Sequence, residues 1–214
     1  MNTLLKSAVA EALGTFILVF VGGFAVASNQ GVVVAALAHG LILAAIIYML
    51  GHISGAHVNP AVTMGLLVGG KINVTKAVYY WVAQLVGAIV AAILLNVISP
   101  DAAKAGQTIG SLTAGSVGQA AIFEAILTFF LVSTVYQAAV YGKAGNLAGV
   151  AIGFTLAGSI LAGGTYTGAS LNPARTLGPA LIAGDLSYAI PYVVAILIGG
   201  AVAGLLHSRF FTSE

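Results

Sequence analysis

Shifted by 113 positions along its 214 residues, the sequence falls on itself: Asn59-Pro60-Ala61 lands on Asn172-Pro173-Ala174. The same gap-free register lays Glu11 on Glu124, Thr15 on Thr128, Phe16 on Phe129, Gly40 on Gly153, Leu43 on Leu156 and Gly87 on Gly200. One structural unit therefore occurs twice, and the fold must accommodate two copies built alike. In each copy the tripeptide opens a helix. Asn caps free backbone N–H groups, and Pro at the first helical position has no N–H to leave unpaired.

The residues around these motifs decide the medium. With 60% hydrophobic residues, 6% charged residues and a mean hydropathy of +1.08, the chain belongs in a bilayer. Six apolar segments, residues 4–27, 32–50, 74–98, 117–141, 147–162 and 187–211, can each cross a hydrocarbon core of about 30 Å. After each Asn-Pro-Ala the apolar run is shorter, 61–69 and 174–183. About ten helical residues rise roughly 15 Å, half a bilayer, so these are re-entrant half-helices. Three full spans per copy is an odd number, and the second copy therefore lies upside down relative to the first. The expected fold is an all-α membrane protein with six transmembrane helices and two half-helices. Residues 1–98 form the first inverted repeat, 99–116 an external connector and 117–214 the second repeat. Lys6 ahead of an apolar run has the look of a signal peptide, but Glu11 early in that run favours a retained first span.

Lys6, Lys71, Lys76, Lys143 and Arg209 fall on one side of this topology, and Asp101, Lys104 and Asp185 on the other. The positive-inside rule then places both termini in the cytoplasm. A net charge of +2, scattered along the chain, gives no nucleic-acid surface, and the absence of cysteine removes thiolate chemistry and disulfides. The four histidines have no metal-binding spacing, and no nucleophile, base and orienting group occur together. Neither a cofactor, a metal nor an enzyme activity is expected.

Non-helical backbone at membrane depth is tolerated where protein or a water-filled path satisfies it, which makes residues 55–58 and 168–171 candidate walls of a hydrated path. Their carbonyls, from Gly55, Ala56, His57, Gly168, Ala169 and Ser170, would form a ladder of acceptors. Asn59 and Asn172 would add donors at the centre, where two facing helix N-termini oppose a cation.

Two such motifs with lead-ins Ser54-Gly55-Ala56-His57-Val58 and Thr167-Gly168-Ala169-Ser170-Leu171, together with Glu11, Glu124 and Arg175, make the chain resemble the aquaporins, the major intrinsic protein family, over essentially its whole length. The resemblance implies a passive water channel that excludes protons and ions, assembled as a homotetramer. It places His39, Ile160, Ala169 and Arg175 in the selectivity filter and Leu18, Leu43, Leu131 and Leu156 along the apolar wall. It also implies that Glu11 and Glu124 fix the two re-entrant loops. His at the first filter position and an aliphatic residue at the second are similar to plant vacuolar-membrane aquaporins, which implies ammonia as a further permeant. A glycerol or other small neutral solute facilitator is the alternative. Thr176 speaks against it, because the glycerol branch has Asp after the motif's Arg. A proton-coupled transporter using Glu11 and Glu124 is the reading from another class. The expected setting is a prokaryotic inner membrane, or else a vacuolar-type membrane.

Among the remaining residues, His52 is expected at the cytoplasmic vestibule and His207 is expected to be bland. Tyr79, Tyr80 and Trp81 suit an interfacial belt. Gly22, Gly23, Gly87, Gly199 and Gly200 suit close helix packing.

Overall fold

A computed structural model describes residues 3–212, which are helical with no strand among them. The six spans are α1 (Thr3–Ala27), α2 (Val32–Ser54), α4 (Val74–Ile98), α7 (Val117–Val135), α8 (Ala148–Thr167) and α10 (Ala189–Phe210). Two short buried helices follow the Asn-Pro-Ala motifs, α3 (Pro60–Val68) and α9 (Pro173–Ala183), and two more, α5 (Ala102–Ala105) and α6 (Ser111–Gly115), lie in the connector. The fourth span continues beyond α7 as one π-helical turn, Tyr136–Val140, closed by Tyr141 N–H to Tyr136 O at 2.8 Å.

Helix α4 has the bounds its sequence predicts, and Asn73 Oδ1 caps it by accepting from Lys76 N–H at 2.8 Å. Helices α2 and α8 run four and five residues beyond the expected ends, through Gly51 and through Gly163 and Gly164, to left-handed caps at Gly55 and Gly168. Two of these interior glycines serve packing instead. A methyl on Gly163 would come within 2.6 Å of Leu127, and one on Gly164 within 2.7 Å of Val32.

A pseudo-twofold axis relates the halves. It passes where α2 crosses α8 at Gly40 and Gly153, each of which would meet the other's carbonyl within 2.6 Å if it carried a Cβ. Half-helix α3 packs on α10 and α9 on α4, so each half-helix is enclosed by spans. The register differs from the gap-free repeat in the third span. Gly87 lies against Ala12 O, and the residue that does the same against Ala125 O is Gly199, not Gly200. Tyr80 likewise corresponds to Tyr192, since their hydroxyls donate to Ser54 O and Thr167 O. The second repeat is thus one residue shorter before α10, a deletion absorbed in the turn after α9. Around the outside the spans expose Val82, Val97, Ile122, Ile198 and similar side chains, the surface a lipid-facing helix presents.

Candidate functional site

Each re-entrant stretch leaves its helix through three left-handed residues out of four. In the first, φ is 96° at Gly55, 47° at Ala56 and 44° at Val58. In the second it is 81° at Gly168, 42° at Ala169 and 53° at Leu171. Glycine adopts such angles freely. Ala, Val and Leu do not, and each costs about 1–3 kcal/mol. Buried carboxyl groups hold them there. Glu11 accepts from the Ser54 hydroxyl (2.6 Å), His57 N–H (2.9 Å), Val58 N–H (2.6 Å) and Gln84 Nε2 (2.8 Å). Glu124 accepts from the Thr167 hydroxyl (2.7 Å), Ser170 N–H (2.9 Å) and Leu171 N–H (2.8 Å). The second site has one donor fewer, because the counterpart of Gln84 in the corrected register is Ile196.

This geometry turns carbonyls away from protein donors. The backbone oxygens of residues 55–57 and 168–170 accept no hydrogen bond within the described chain. Such groups need water when protein does not serve them. At the centre each Asn side chain works twice. Asn59 Oδ1 accepts from Ala61 N–H at 2.8 Å, and Asn172 Oδ1 from Ala174 N–H at 3.0 Å and Arg175 N–H at 3.3 Å. Each amide nitrogen donates across to the other half, Asn59 to Leu171 O at 2.8 Å and Asn172 to Val58 O at 2.9 Å. A primary amide has two N–H groups, so one on each Asn stays free beside the cavity.

The cavity between the motifs is narrow, about 50 Å³, and is lined by Leu18, Leu43, Leu131 and Leu156, by Gly55, Ala56, His57 and Ser170, and by both Asn residues. At about 10–15 Å³ for each water position it holds roughly four waters in file. It ends at His39 and Arg175, which also line a wider vestibule of about 200 Å³ containing Ile160 and Gly168. Ala169 contributes no side chain to either cavity; it is buried in the apolar cluster around the lumen. Glu11 and Glu124 line neither cavity and are wholly buried.

His39 and Arg175 form one unit. His39 Nδ1 lies 2.8 Å from Ala35 O, so it carries the hydrogen, and Nε2 accepts from Arg175 Nε at 3.2 Å. Arg175 Nη1 donates to Gly106 O at 2.9 Å. Gly22 leaves room for the imidazole, since a methyl there would lie 2.2 Å from Nε2.

Several of these partners are not evident in the sequence. The connector is more than a bridge: between α5 and α6 it dips inward, buries Gln107 and Thr108, packs on the backbone of Gly168 and supplies the carbonyl that aims Arg175. Nothing in its Gly-, Ser- and Thr-rich composition distinguishes Gly106 from its neighbours. Gln84 and Thr63 brace the first loop. Gln84 Nε2 donates to Thr63 Oγ1 as well as to Glu11, and Thr63 pairs with His57 Nδ1 at 3.0 Å. A lone Gln in an apolar span was the available signal. Tyr80 is buried and Trp81 Nε1 donates to Pro60 O at 3.1 Å, so of the expected aromatic belt Tyr79 alone is exposed. His52 is exposed and lines neither cavity. His207 has a packing role. It stacks on Tyr136 at 5.6 Å and its carbonyl accepts from the Tyr141 hydroxyl.

A profile of the family described as Major intrinsic protein matches residues 1–207. The chain is 41% identical over 223 residues to Aquaporin TIP2-1 of Zea mays, and 42% identical over 226 residues to Probable aquaporin TIP1-2 of Oryza sativa subsp. japonica. Both alignments span 98% of this chain and 88% of the relative. Its fold is similar to that of the aquaglyceroporin from Plasmodium falciparum, with a TM-score of 0.87 and 26% identity over 97% of both chains. The Zea mays and Oryza sativa relatives are plant proteins and give no support to a prokaryotic inner membrane. Their similarity and the paired half-helices agree: the chain belongs to the major intrinsic protein family, whose members are channels rather than enzymes.

Proposed function

We propose that this protein is a passive water channel whose lumen conducts a single file of water past the paired Asn amides. The observation that carries the reading is the lumen itself, about 50 Å³, walled on one side by backbone oxygens without protein donors and on the others by leucines. Waters exchange hydrogen bonds along the acceptors while the apolar wall holds none back. Selection in pores of this kind is known to rest on diameter, lining donors and acceptors, and electrostatic barriers. A water at the centre accepts from both Asn amides and directs its own hydrogens outward, which interrupts a proton wire. The N-termini of α3 and α9 each present about half a positive charge, and with Arg175 they oppose cations. The similarity to Aquaporin TIP2-1 supports water as the permeant.

Ammonia is the further permeant we infer. Both imidazole nitrogens of His39 are engaged, and Ile160 is aliphatic, so Arg175 dominates the polar side of the filter. The aquaglyceroporin likeness supports glycerol as an alternative, against which stands Thr176, buried and bonded to Ser170 Oγ at 2.6 Å. A proton-coupled mechanism is disfavoured because neither Glu touches the lumen. The charge distribution favours cytoplasmic termini and the plant relatives a vacuolar-type membrane, while the homotetramer is what the family resemblance implies.

Stopped-flow shrinkage of proteoliposomes tests this. Water permeability well above that of protein-free vesicles, with no proton leak, is the expected result. Water flux equal to that of empty vesicles overturns the channel reading, and ammonia flux equal to theirs removes ammonia.

A further inference from the structure

The inverted halves differ sharply where α1 and α7 end. In the first half that region is filled. Phe16 stacks on Phe20 with centroids 5.4 Å apart, Phe24 meets Phe20 edge-on at 5.1 Å, Leu95 fits over Gly23, and α5 lies across them with Ala102 and Ala103 in the same apolar cluster. At the inverted counterpart, Ser133 stands for Phe20, Gln137 for Phe24 and, in the corrected register, His207 for Leu95. No helix of the described chain covers it. A crevice of about 420 Å³ opens instead at the ends of α7, α8 and α10, on the side where the termini lie, with Ala138, Ala144 and Ala151 in its wall.

Lys143, Gln137 and Ser133 bring donors to this crevice. The Lys143 ammonium has no partner among the described residues. The Ser133 hydroxyl, shielded from solvent, has none either. Gln137 Nε2 lies 3.0 Å from His207 Nδ1 and has a second N–H to offer. Polar groups at the edge of a bilayer are costly unless matched, and their matches mark ligand paths or headgroup contacts. Charge complementarity to Lys143 favours an anion as the match. Lys6, Lys71, Lys76, Lys143 and Arg209 all lie at this end. Of the described acids, Asp101 and Asp185 lie at the other, while Glu11 and Glu124 are consumed by the loops. A second copy standing alongside in the same orientation brings no described carboxylate to this level.

We propose that this crevice binds the phosphate headgroup of an anionic phospholipid from the leaflet on the side of the termini. Lys143 and Gln137 donate to the phosphate, and the three alanines border the first part of an acyl chain. The lipid takes the place that α5 fills in the other half.

The test is native mass spectrometry of the full chain in detergent with equal amounts of phosphatidylglycerol and phosphatidylcholine. The wild type should retain phosphatidylglycerol preferentially. Lys143→Gln should reduce the preference about fivefold, the contribution of one basic residue near a membrane surface. Lys6→Gln, at the same end but outside the crevice, should leave it unchanged. Gln137→Phe, which copies Phe24 into the crevice, should abolish the preference while water permeability stays at the wild-type level. Equal retention of the two lipids overturns the proposal, as does an equal loss in Lys6→Gln. Inorganic phosphate that binds alone and displaces the lipid would make this a soluble-anion site. Crevice variants that change the oligomer's mass with lipid retention unaltered would make it an interface between copies. Either result also overturns the proposal.

Discussion

Replacing Glu124 by Gln tests what keeps the second re-entrant loop in its unfavourable backbone. The carboxyl group accepts three donors, the Thr167 hydroxyl at 2.7 Å, Ser170 N–H at 2.9 Å and Leu171 N–H at 2.8 Å. Gln has nearly the same shape but one acceptor oxygen, and its amide nitrogen must face a donor. One charge-assisted hydrogen bond worth about 1.5–3 kcal/mol is lost, and a buried N–H is left unpaired. Ala169 and Leu171, with φ of 42° and 53°, each hold about 1–3 kcal/mol of strain that these bonds offset. The support lost is thus comparable to the strain it opposes. A deficit of about 1.4 kcal/mol would leave roughly one molecule in ten with the native loop. Stopped-flow water permeability per reconstituted protein should therefore fall about tenfold, with a lower unfolding temperature in detergent. Glu11→Gln should cost more, since four donors converge there instead of three. Wild-type permeability and stability in Glu124→Gln would refute the account. A variant that kept its water flux but lost solute accumulation driven by a pH gradient would establish the proton-coupled transporter instead.

Gly22→Ala should act on the filter from behind. The added methyl would lie 2.2 Å from His39 Nε2, the ring must move, and its bond from Arg175 breaks. The ratio of ammonia to water flux should change, and unchanged fluxes of both would remove His39 from the filter. Gln84→Leu deletes donors to Glu11 and Thr63, but also an amide oxygen that is buried without a partner. The net loss of stability should be about 1 kcal/mol, not the sum of two bonds. Unfolding measurements showing more than about 3 kcal/mol would contradict this reckoning. Because the chain has no cysteine, mercuric chloride should leave water permeability unaltered; inhibition that an added thiol reverses would expose a metal site of another kind.

What could be read in advance follows how local its cause is. Residues 74–98 were legible to the residue because the apolar run begins directly after a polar residue, Asn73, which caps the helix in the structure. The half-helices were legible from Asn-Pro, where cap and first turn are adjacent. Helices α2 and α8 looked shorter than they are because a glycine reads as a stop until its neighbour is known, and Leu127 and Val32 are distant in sequence. Since the repeat pairs them with Ile152 and Val62, His39 and Arg175 were supplied separately by the resemblance to the family. Their hydrogen bond, and the Gly106 carbonyl that completes it, depend on how the connector folds back. The same limit explains Tyr80, whose sequence suits an interface but whose hydroxyl serves Ser54 O inside the protein. The single-residue deletion before α10 was hidden by the adjacent pair Gly199 and Gly200, which lets either register match Gly87.

The crossed bonds of the two Asn residues fix an order of assembly. Asn59 finds its acceptor 112 residues later, and Asn172 finds its own 114 residues earlier. While the chain is being synthesised, the first half enters the membrane with the Asn59 amide and the Val58 carbonyl both waiting for partners that do not yet exist. Neither half can finish its own centre, so the centre cannot close before residues 171 and 172 have been made. Closure commits the two halves to each other: a half released alone would hold an unmet amide and an unmet carbonyl at the midplane, where no lipid group can answer either.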